Sequence, residues 1–245
     1  MAGETIKTSA LCLAIRPWSQ TSHIVTWITP RGKISSVVKG AARAKSFFLG
    51  QYDLNYTCEI LYYARAKGEL HALKECFPLE LRESLRSDFR LGALAEYFRS
   101  LVLTLAPSGS EAEKWYSTLE SALDDLKGRD DEAKRIAALL SFERRILELE
   151  GLLPELSNYD KSKEIQFFSI ENGTYEANEG RLMRIATPVA KALENPENEK
   201  NPQILLDAAR VIGVFYTFHL DTQRFCRREI LNLISNKKGT DENEG

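Results

Sequence analysis

The sequence predicts an α+β protein with two domains, a small five-stranded β-barrel followed by a mainly helical domain. Between residues 9 and 77 the apolar residues recur at a period near two, and after Pro78 the period changes to about 3.6. The first part contains no helix long enough for a parallel crossover, which favours a closed barrel over a βαβ unit. We therefore predict domains at residues 1–78 and 79–236, with a polar tail at 237–245.

The five predicted strands are short and are separated by turn-forming residues. They cover residues 9–15, 23–29, 33–39, 53–63 and 69–77. Turns are expected at Arg16-Pro17-Trp18-Ser19, at Pro30-Arg31-Gly32 and at Lys67-Gly68. The period-two residues of the fourth strand form its inward face: Leu54, Tyr56, Cys58, Ile60 and Tyr62.

The second part is predicted to contain helices with one short hairpin. Helices are expected from Asp88 to before Pro107, at 111–126, from Asp130 or Asp131 to before Gly151, at 202–220 and at 225–234. Asn172-Gly173 lies between two β-prone segments, which predicts a β-hairpin near residues 165–176. The tail is expected to be disordered because it lacks apolar residues.

The charge of the chain is divided unevenly between these parts. The 245 residues carry a net charge of −2, but residues 1–78 hold ten Lys and Arg against five Asp and Glu, a charge of +5. The remainder carries −7. This split indicates that the first third of the chain meets a polyanion.

Most of this positive charge lies between residues 31 and 50. The cations are Arg31, Lys33, Lys39, Arg43 and Lys45, and no acidic residue follows until Asp53. The run from Gly40 to Ala44 is too poor in large apolar groups to pack as a core element, so we expect a mobile loop. Unbalanced charge of this kind usually faces phosphate, although a merely solvated loop is the alternative.

Aromatic residues beside these cations could stack on nucleic-acid bases. Trp18 and Phe47 fall in predicted turns and are the stronger candidates, whereas Trp27 and Tyr62 lie inside strands and are more typical of a core. Phe48 and Tyr63 remain open. A second basic group at the start of the last helix could contact DNA or form a solvated helix end: Arg224, Arg227 and Arg228.

Motifs for catalysis and metal binding are missing from the sequence. It has no G-x-G-x-x-G, G-x-S-x-G or H-E-x-x-H, and none of its three histidines adjoins one of its four cysteines. The cysteines show neither a C-x-x-C pair nor a disulfide framework. We therefore expect a binding protein without a cofactor and not an enzyme. Since the chain has no long apolar run and no signal-peptide pattern, we also expect a cytoplasmic location.

Several short motifs occur in an order that resembles the RecO family of bacterial recombination mediators. They are Leu11-Cys12-Leu13, Arg16-Pro17-Trp18-Ser19-Gln20, Ile24-Val25-Thr26, Arg31-Gly32-Lys33, Val38-Lys39-Gly40-Ala41 and Lys67-Gly68-Glu69-Leu70. Later matches are the run from Leu149 to Leu156, the stretch from Tyr216 to Leu220, and Arg224 and Arg228. The resemblance covers nearly the whole chain.

The resemblance implies an OB-fold followed by a helical domain. It also implies binding to single- and double-stranded DNA in the bacterial nucleoid, strand annealing, and loading of RecA together with RecR and the single-stranded DNA-binding protein. Many family members hold zinc with two C-x-x-C pairs after an L-P-x-L segment. This chain has Ser157-Asn158-Tyr159-Asp160 there and no cysteine, so no structural zinc is expected. The Asn172-Gly173 hairpin is expected to keep this region compact instead.

The acidic, apolar tail of the single-stranded DNA-binding protein would need an apolar pocket beside a cation. Arg144, Arg145 and Arg210 are the candidates in the helical domain. Two other functions stay open, since the barrel could be a protein-interaction module or an RNA-binding module.

Overall fold

The computed structural model describes residues 4–65, 70–109, 111–175, 180–220 and 226–235. Spatial contacts divide the chain into two compact units. We call Met1–Asp88 with Phe98–Asp124 the barrel unit, and Phe89–Tyr97 with Asp125–Gly245 the helical unit. This grouping follows contacts, and the domain limits drawn from the sequence stay a prediction.

Five strands form the closed barrel of the barrel unit. They are β1 (Thr5–Ser19), β2 (Ser22–Thr29), β3 (Gly32–Val38), β4 (Thr57–Tyr63) and β5 (His71–Glu80). Their order around the barrel is β1-β2-β3-β5-β4, and β4 pairs again with β1. All neighbours are antiparallel except β3 and β5. The predicted five-stranded OB-type barrel is therefore confirmed.

Strand β1 is longer than the sequence predicts. Residues 5–11 pair with β4 and residues 11–19 pair with β2, so Arg16 to Ser19 continue the strand and do not form the expected turn. The register shifts between Pro17 and Ser19. Such a bulge tolerates a proline, which has no N–H to donate to the sheet.

The barrel core holds the inward residues that the period of two predicts. Trp27 is fully buried, and its Nε1 donates to the hydroxyl of Ser36 at 2.9 Å, so the indole N–H keeps a partner inside the core. Cys12, Cys58 and Cys76 lie in the same core as free thiols. Burial raises the pKa of the Cys12 thiol.

The rest of the described chain is mainly helical. Its elements are α1 (Ser84–Ser87), α2 (Phe89–Leu105), α3 (Ala112–Asp125), α4 (Glu132–Leu149), β6 (Ile165–Ser169), β7 (Leu182–Ala186), α5 (Thr187–Glu194), a 3-10 turn (Pro196–Asn198), α6 (Pro202–His219) and α7 (Arg227–Ile234). The Asp131 carboxylate caps α4 by accepting from the Lys134 N–H at 2.8 Å. None of the described helices is long and apolar enough to cross a membrane.

The small sheet of the helical unit differs from the predicted hairpin. Strand β6 pairs with β7 at residues 182–186, and Thr174 and Tyr175 do not form the second strand. Gly173 does turn the chain at φ +67°, and the N–H of Ser169 donates to the Thr174 carbonyl at 2.8 Å. The chain does turn at Asn172-Gly173, but the strand that pairs with β6 begins only at Leu182 and leads directly into α5.

A buried ion pair joins four helices of the helical unit. The Glu143 carboxylate on α4 is fully buried and accepts two hydrogen bonds from Arg227 on α7, at 2.6 and 2.8 Å. The hydroxyl of Tyr97 on α2 donates to the same carboxylate at 2.7 Å, and that of Tyr216 on α6 donates to the Glu143 carbonyl at 2.8 Å. Burial, together with the Glu143 charge, raises the pKa of Tyr97 and of Tyr216.

We expect Glu143→Ala to lower the free energy of unfolding by about 3–5 kcal/mol, because it leaves the buried guanidinium of Arg227 without its counter-ion. Glu148→Ala, an exposed change on the same helix, is the control and should change it by less than about 0.5 kcal/mol. Urea denaturation followed by circular dichroism measures both variants. Equal stability of the two would contradict the central place of this ion pair.

Candidate nucleic-acid interface

We call the segment between β3 and β4, residues 39–56, the basic loop. Its first residues pack against the turn between β1 and β2. The N–H of Ala42 donates to the Thr21 carbonyl at 3.1 Å, and that of Gly40 to the Ser22 hydroxyl at 3.3 Å. Ala41 is only 6% exposed and belongs to the barrel core. The expectation that this small-residue run would not pack is wrong for Ala41, because a methyl group suffices where two backbones approach closely. Ala42, Arg43 and Ala44 are exposed, as expected.

The rest of the basic loop is fixed by consecutive turns and by anchors in the barrel. The N–H of Ser46 donates to the Arg43 carbonyl at 3.0 Å. The thiols of Cys58 and Cys76 both donate to the Gln51 carbonyl at 3.5 Å, and the Tyr52 hydroxyl lies 2.8 Å from Nδ1 of His23. The backbone of the loop is therefore held against the barrel at several points.

Three cations on this loop are exposed and unneutralised. Lys39, Arg43 and Lys45 form no ion pair within the described ranges. The first acidic residue after them, Asp53, pairs with Arg86 and is thus occupied. The loop presents a positive surface that an anion can approach.

Two exposed aromatic residues share this part of the barrel unit. Phe47 on the loop is 93% exposed, and Trp18 at the end of β1 is 61% exposed. Pro17, His23 and Val38 form one row across β1, β2 and β3. Strands β1 and β3 run in the same direction on either side of β2. Trp18 and Lys39 each come one residue after that row, so two strand spacings, about 10 Å, separate their backbones.

Arg16 is a further exposed cation beside the basic loop. Its register partner on β2 is Ile24, in the row beside that of Pro17 and His23. Arg16 lies outside the charged run of residues 31–50, and only the strand pairing brings it near the end of β3. We define the loop surface as Arg16, Trp18, Lys39, Arg43, Lys45 and Phe47.

The other aromatic candidates lie elsewhere. Tyr62 is buried and stacks on His71 with ring centroids 5.0 Å apart, as the core interpretation predicts. Phe48 packs partly against the barrel core. Tyr63 is exposed at the far end of β4, beside Lys74.

Arg31 and Lys33 do not join the loop surface. They lie at the start of β3, and Lys39 follows its end, so eight residues of extended chain, about 25 Å, separate Arg31 from Lys39. The Lys33 amine donates to the Leu103 carbonyl, in the last turn of α2, at 2.8 Å. Burial lowers the pKa of Lys33. Arg31 remains exposed.

A second cationic site, in the helical unit, is a groove of about 720 Å³ between α6, α7 and the start of β7. We call it the arginine groove. Its lining residues are Arg181, Arg210, Gly213, Val214, Thr217, Phe218, Arg227, Arg228, Leu231 and Asn232. Of the three predicted partner-binding arginines, only Arg210 lies here. The sequence shows one sign of this groove: Arg210, Val214 and Phe218 are spaced four residues apart, which places them on one face of α6.

The three arginines of the second basic group, Arg224, Arg227 and Arg228, do not share one environment. Arg224 lies outside the described residues, and Arg228 is exposed in the groove. Arg227 contradicts a solvated helix end, because its side chain is only 14% exposed and pairs with Glu143. Burial would lower the pKa of Arg227, but the Glu143 charge reverses this and raises it. Arg227 passes so close to Gly213 that a Cβ there would lie 2.4 Å from its Nη1.

Arg144 and Arg145 on α4 do not line the arginine groove. Nη1 of Arg144 donates to the Glu194 carbonyl, and burial lowers the pKa of this guanidinium, although Glu194 and Glu148 oppose the shift. Arg145 is exposed.

A buried glutamine holds the region around residues 157–163. The Gln166 amide donates to the Asp160 carbonyl at 2.7 Å and to the Thr187 hydroxyl at 2.9 Å. The Glu155 N–H donates to the Gly173 carbonyl at 2.8 Å, which attaches the Asn172-Gly173 turn to the same region. Among the described residues, no group of three or more His, Cys, Asp or Glu side chains is arranged to hold a metal ion.

Comparison with protein families gives matches to both parts of the chain. The family model described as "Recombination protein O N terminal" matches residues 1–82, and the one described as "Recombination protein O C terminal" matches residues 86–228. The chain belongs to the RecO family. The predicted membership of this family is therefore confirmed, and with it a role in DNA recombination and repair.

Three curated relatives carry the name "DNA repair protein RecO". The protein of Alkaliphilus metalliredigens is 26% identical over 94% of this chain and 99% of the relative. Those of Roseiflexus sp. and Rhodopirellula baltica are 29% and 31% identical over 64% and 59% of this chain, and the aligned region spans 53% of each. These names state DNA repair and no catalytic activity.

We expect Lys33→Met to lower the free energy of unfolding by about 1–2 kcal/mol, because the Leu103 carbonyl loses a charged donor. Lys39→Met, the matched change at the other end of β3, should leave it unchanged, since Lys39 is exposed and has no ion pair among the residues that the structure describes. Urea denaturation measures both variants. A Lys33→Met protein as stable as Lys39→Met would show that the Lys33 contact adds nothing to the fold.

Proposed function

We propose that this RecO-family chain is a non-enzymatic DNA-binding mediator of recombinational repair. It binds single- and double-stranded DNA, promotes the annealing of complementary strands, and helps to load RecA on DNA covered by the single-stranded DNA-binding protein. RecR and that protein are its partners in the bacterial nucleoid, and it uses no cofactor and no zinc. The observation that carries the proposal is the loop surface, with its unneutralised cations beside two exposed aromatic residues.

The loop surface combines the two interactions that single-strand binding requires. Lys39, Arg43 and Lys45 follow the phosphates, while Trp18 and Phe47 offer faces on which bases stack. An OB-type barrel binds oligonucleotides over the face of β2 and β3 and over its β1–β2 and β4–β5 loops. The basic loop contacts the first of these loops at Thr21 and Ser22. Phosphate contacts carry no base information, so the same cations also serve duplex DNA.

Annealing follows from the same charges. Two complementary strands repel each other through their phosphates, and cations that neutralise part of this charge lower the barrier to pairing. Because the loop backbone is anchored at Thr21, Ser22 and the core thiols, its cations are already in position, and binding has little ordering entropy to overcome. Catalytic groups are not required for this activity.

The arginine groove is our candidate binding site for the acidic, apolar tail of the single-stranded DNA-binding protein. Arg181, Arg210 and Arg228 attract carboxylates, while Phe218 and Leu231 offer an apolar surface for the end of the tail. Holding this tail brings the covered DNA strand to the mediator. The two sites thus have complementary tasks, one for the DNA and one for the protein that covers it.

We expect the triple variant Lys39→Ala, Arg43→Ala, Lys45→Ala to bind a single-stranded oligonucleotide at least roughly tenfold more weakly, because three phosphate contacts are lost. The slope of log affinity against log salt should fall by about 2, since each contact on single strands contributes about 0.7. Fluorescence anisotropy across a salt series measures both quantities.

Two matched variants keep this DNA test specific. The exposed pair Lys161→Ala, Lys191→Ala in the helical unit changes the net charge but should leave the slope unaltered, as should Lys33→Met. An unchanged slope in the triple variant would remove the loop surface as the binding site. An RNA oligonucleotide of the same sequence, run in parallel, separates DNA from RNA preference through the ratio of the two affinities.

We expect Arg210→Ala with Arg228→Ala to weaken binding of an acidic, apolar peptide on the order of tenfold, because two charged hydrogen bonds are lost. The probe is a labelled synthetic peptide with three aspartates followed by two apolar C-terminal residues, measured by fluorescence anisotropy. Lys161→Ala with Lys191→Ala is again the control. Equal affinity of wild type and the arginine variant would rule out the arginine groove as the tail site.

A further inference from the structure

We propose that the acidic end of this chain, residues 240–245, binds in the arginine groove and competes there with an incoming acidic peptide. The competition with a partner rests on the function proposed above, whereas the intramolecular contact stands by itself. The inference follows from three observations: the charge of the groove, the composition of the tail, and the position of α7.

The arginine groove carries more positive charge than its own acids balance. Two of its arginines already have counter-ions, since Glu143 pairs with Arg227 and Asp207 pairs with Arg210 at 2.6 Å. Arg181 and Arg228 are exposed and have no ion pair in the part of the chain that the structure describes. Two full cations therefore face the groove, beside Arg210, whose other nitrogens can still donate. An acidic segment is the complementary occupant.

The sequence after α7 supplies such a segment. Residues 236–239 are Asn-Lys-Lys-Gly, and residues 240–245 are Thr-Asp-Glu-Asn-Glu-Gly, with carboxylates at Asp241, Glu242 and Glu244. No large apolar side chain occurs anywhere in residues 236–245. This stretch can match the charge of the groove but cannot fill its apolar wall.

The described chain ends beside the groove, because α7 itself forms one wall. Leu231 and Asn232 line the groove, α7 ends at Ile234, and Ser235 is its C-cap. From Ser235 back to Arg228 the helix measures about 10 Å, at 1.5 Å per residue. Six residues from Ser235 to Asp241 reach up to about 20 Å, so the carboxylates can return to Arg228 without strain.

A short tether makes even a weak charge contact effective. The effective concentration of a segment joined by a few residues is on the order of millimolar. At that concentration, a contact with a dissociation constant below about a millimolar is formed for most of the time. Because residues 236–245 have no large apolar side chain, such a contact has nothing to pack on Val214, Phe218 and Leu231. Peptides that carry only acids must compete on equal terms with the tail, whereas peptides with an apolar end gain contacts that the tail lacks. The tail thus sharpens selection for acidic peptides with apolar ends.

Neutralising the tail tests the competition. In Asp241→Asn, Glu242→Gln, Glu244→Gln we expect the acidic, apolar peptide to bind about three- to tenfold more tightly, because the tethered competitor is removed. The control changes three exposed acids elsewhere, Glu113→Gln, Glu155→Gln, Glu164→Gln, and should leave peptide affinity unchanged. Equal affinities of the tail variant and wild type would overturn the competition. If the tail variant instead gains only affinity for DNA, the tail binds at the loop surface and the proposal is wrong.

Disulfide trapping tests the contact without any partner. In a Cys226→Ser background, Asn243→Cys in the tail is combined with Thr217→Cys in the groove, and mild air oxidation is followed by non-reducing electrophoresis. We expect a cross-linked monomer that forms at least tenfold faster than in the control pair Asn243→Cys with Ser157→Cys. Equal rates, or cross-linked dimers alone, would overturn the intramolecular contact. A peptide that binds neither wild type nor the tail variant would refute the proposed groove function, while trapping still decides where the tail lies.

Discussion

Glu143 has no exposed surface, and the organisation of the helical unit depends on how its charge is compensated. A buried carboxylate is strongly destabilising unless it is paired and hydrogen-bonded. Arg227 provides the counter-ion and Tyr97 a further donor, while Tyr216 fixes the backbone of the same residue. Through its carboxylate and its carbonyl, Glu143 thereby connects α2, α4, α6 and α7, and α7 in turn forms a wall of the arginine groove.

This pairing also sets the character of the arginine groove. Because Arg227 pairs with Glu143 and Arg210 with Asp207, the uncompensated charge available to a ligand comes from Arg181 and Arg228. Gly213 permits this arrangement, since any side chain there would collide with the Arg227 guanidinium. A structural ion pair and a binding surface thus share one residue, which explains why counting arginines along the sequence overstates the charge that a ligand meets.

In the barrel unit, the cations of the basic loop remain available to a ligand because they do not take part in ion pairs among the residues that the structure describes. A closed barrel leaves its hydrogen bonds satisfied within the sheet, and the basic loop is attached through its backbone and through Ala41, Gln51 and Tyr52. Its cationic side chains therefore stay exposed. Lys33 shows the contrary case, because a helix end lies within reach of its amine and takes it as a structural donor.

Hydrophobic period, charge and family motifs are local properties, and the sequence by itself determined what depends on them. It determined the five-stranded barrel, most of the helices, a cap at Asp130 or Asp131, the cations of the basic loop and membership of the RecO family. Only the tertiary structure decided the residues whose role depends on a distant partner. Arg227 meets Glu143 across 84 positions and Lys33 meets Leu103 across 70, while the groove joins residues from 181 to 232. Such pairings are fixed by how elements pack, and neither composition nor period contains that information.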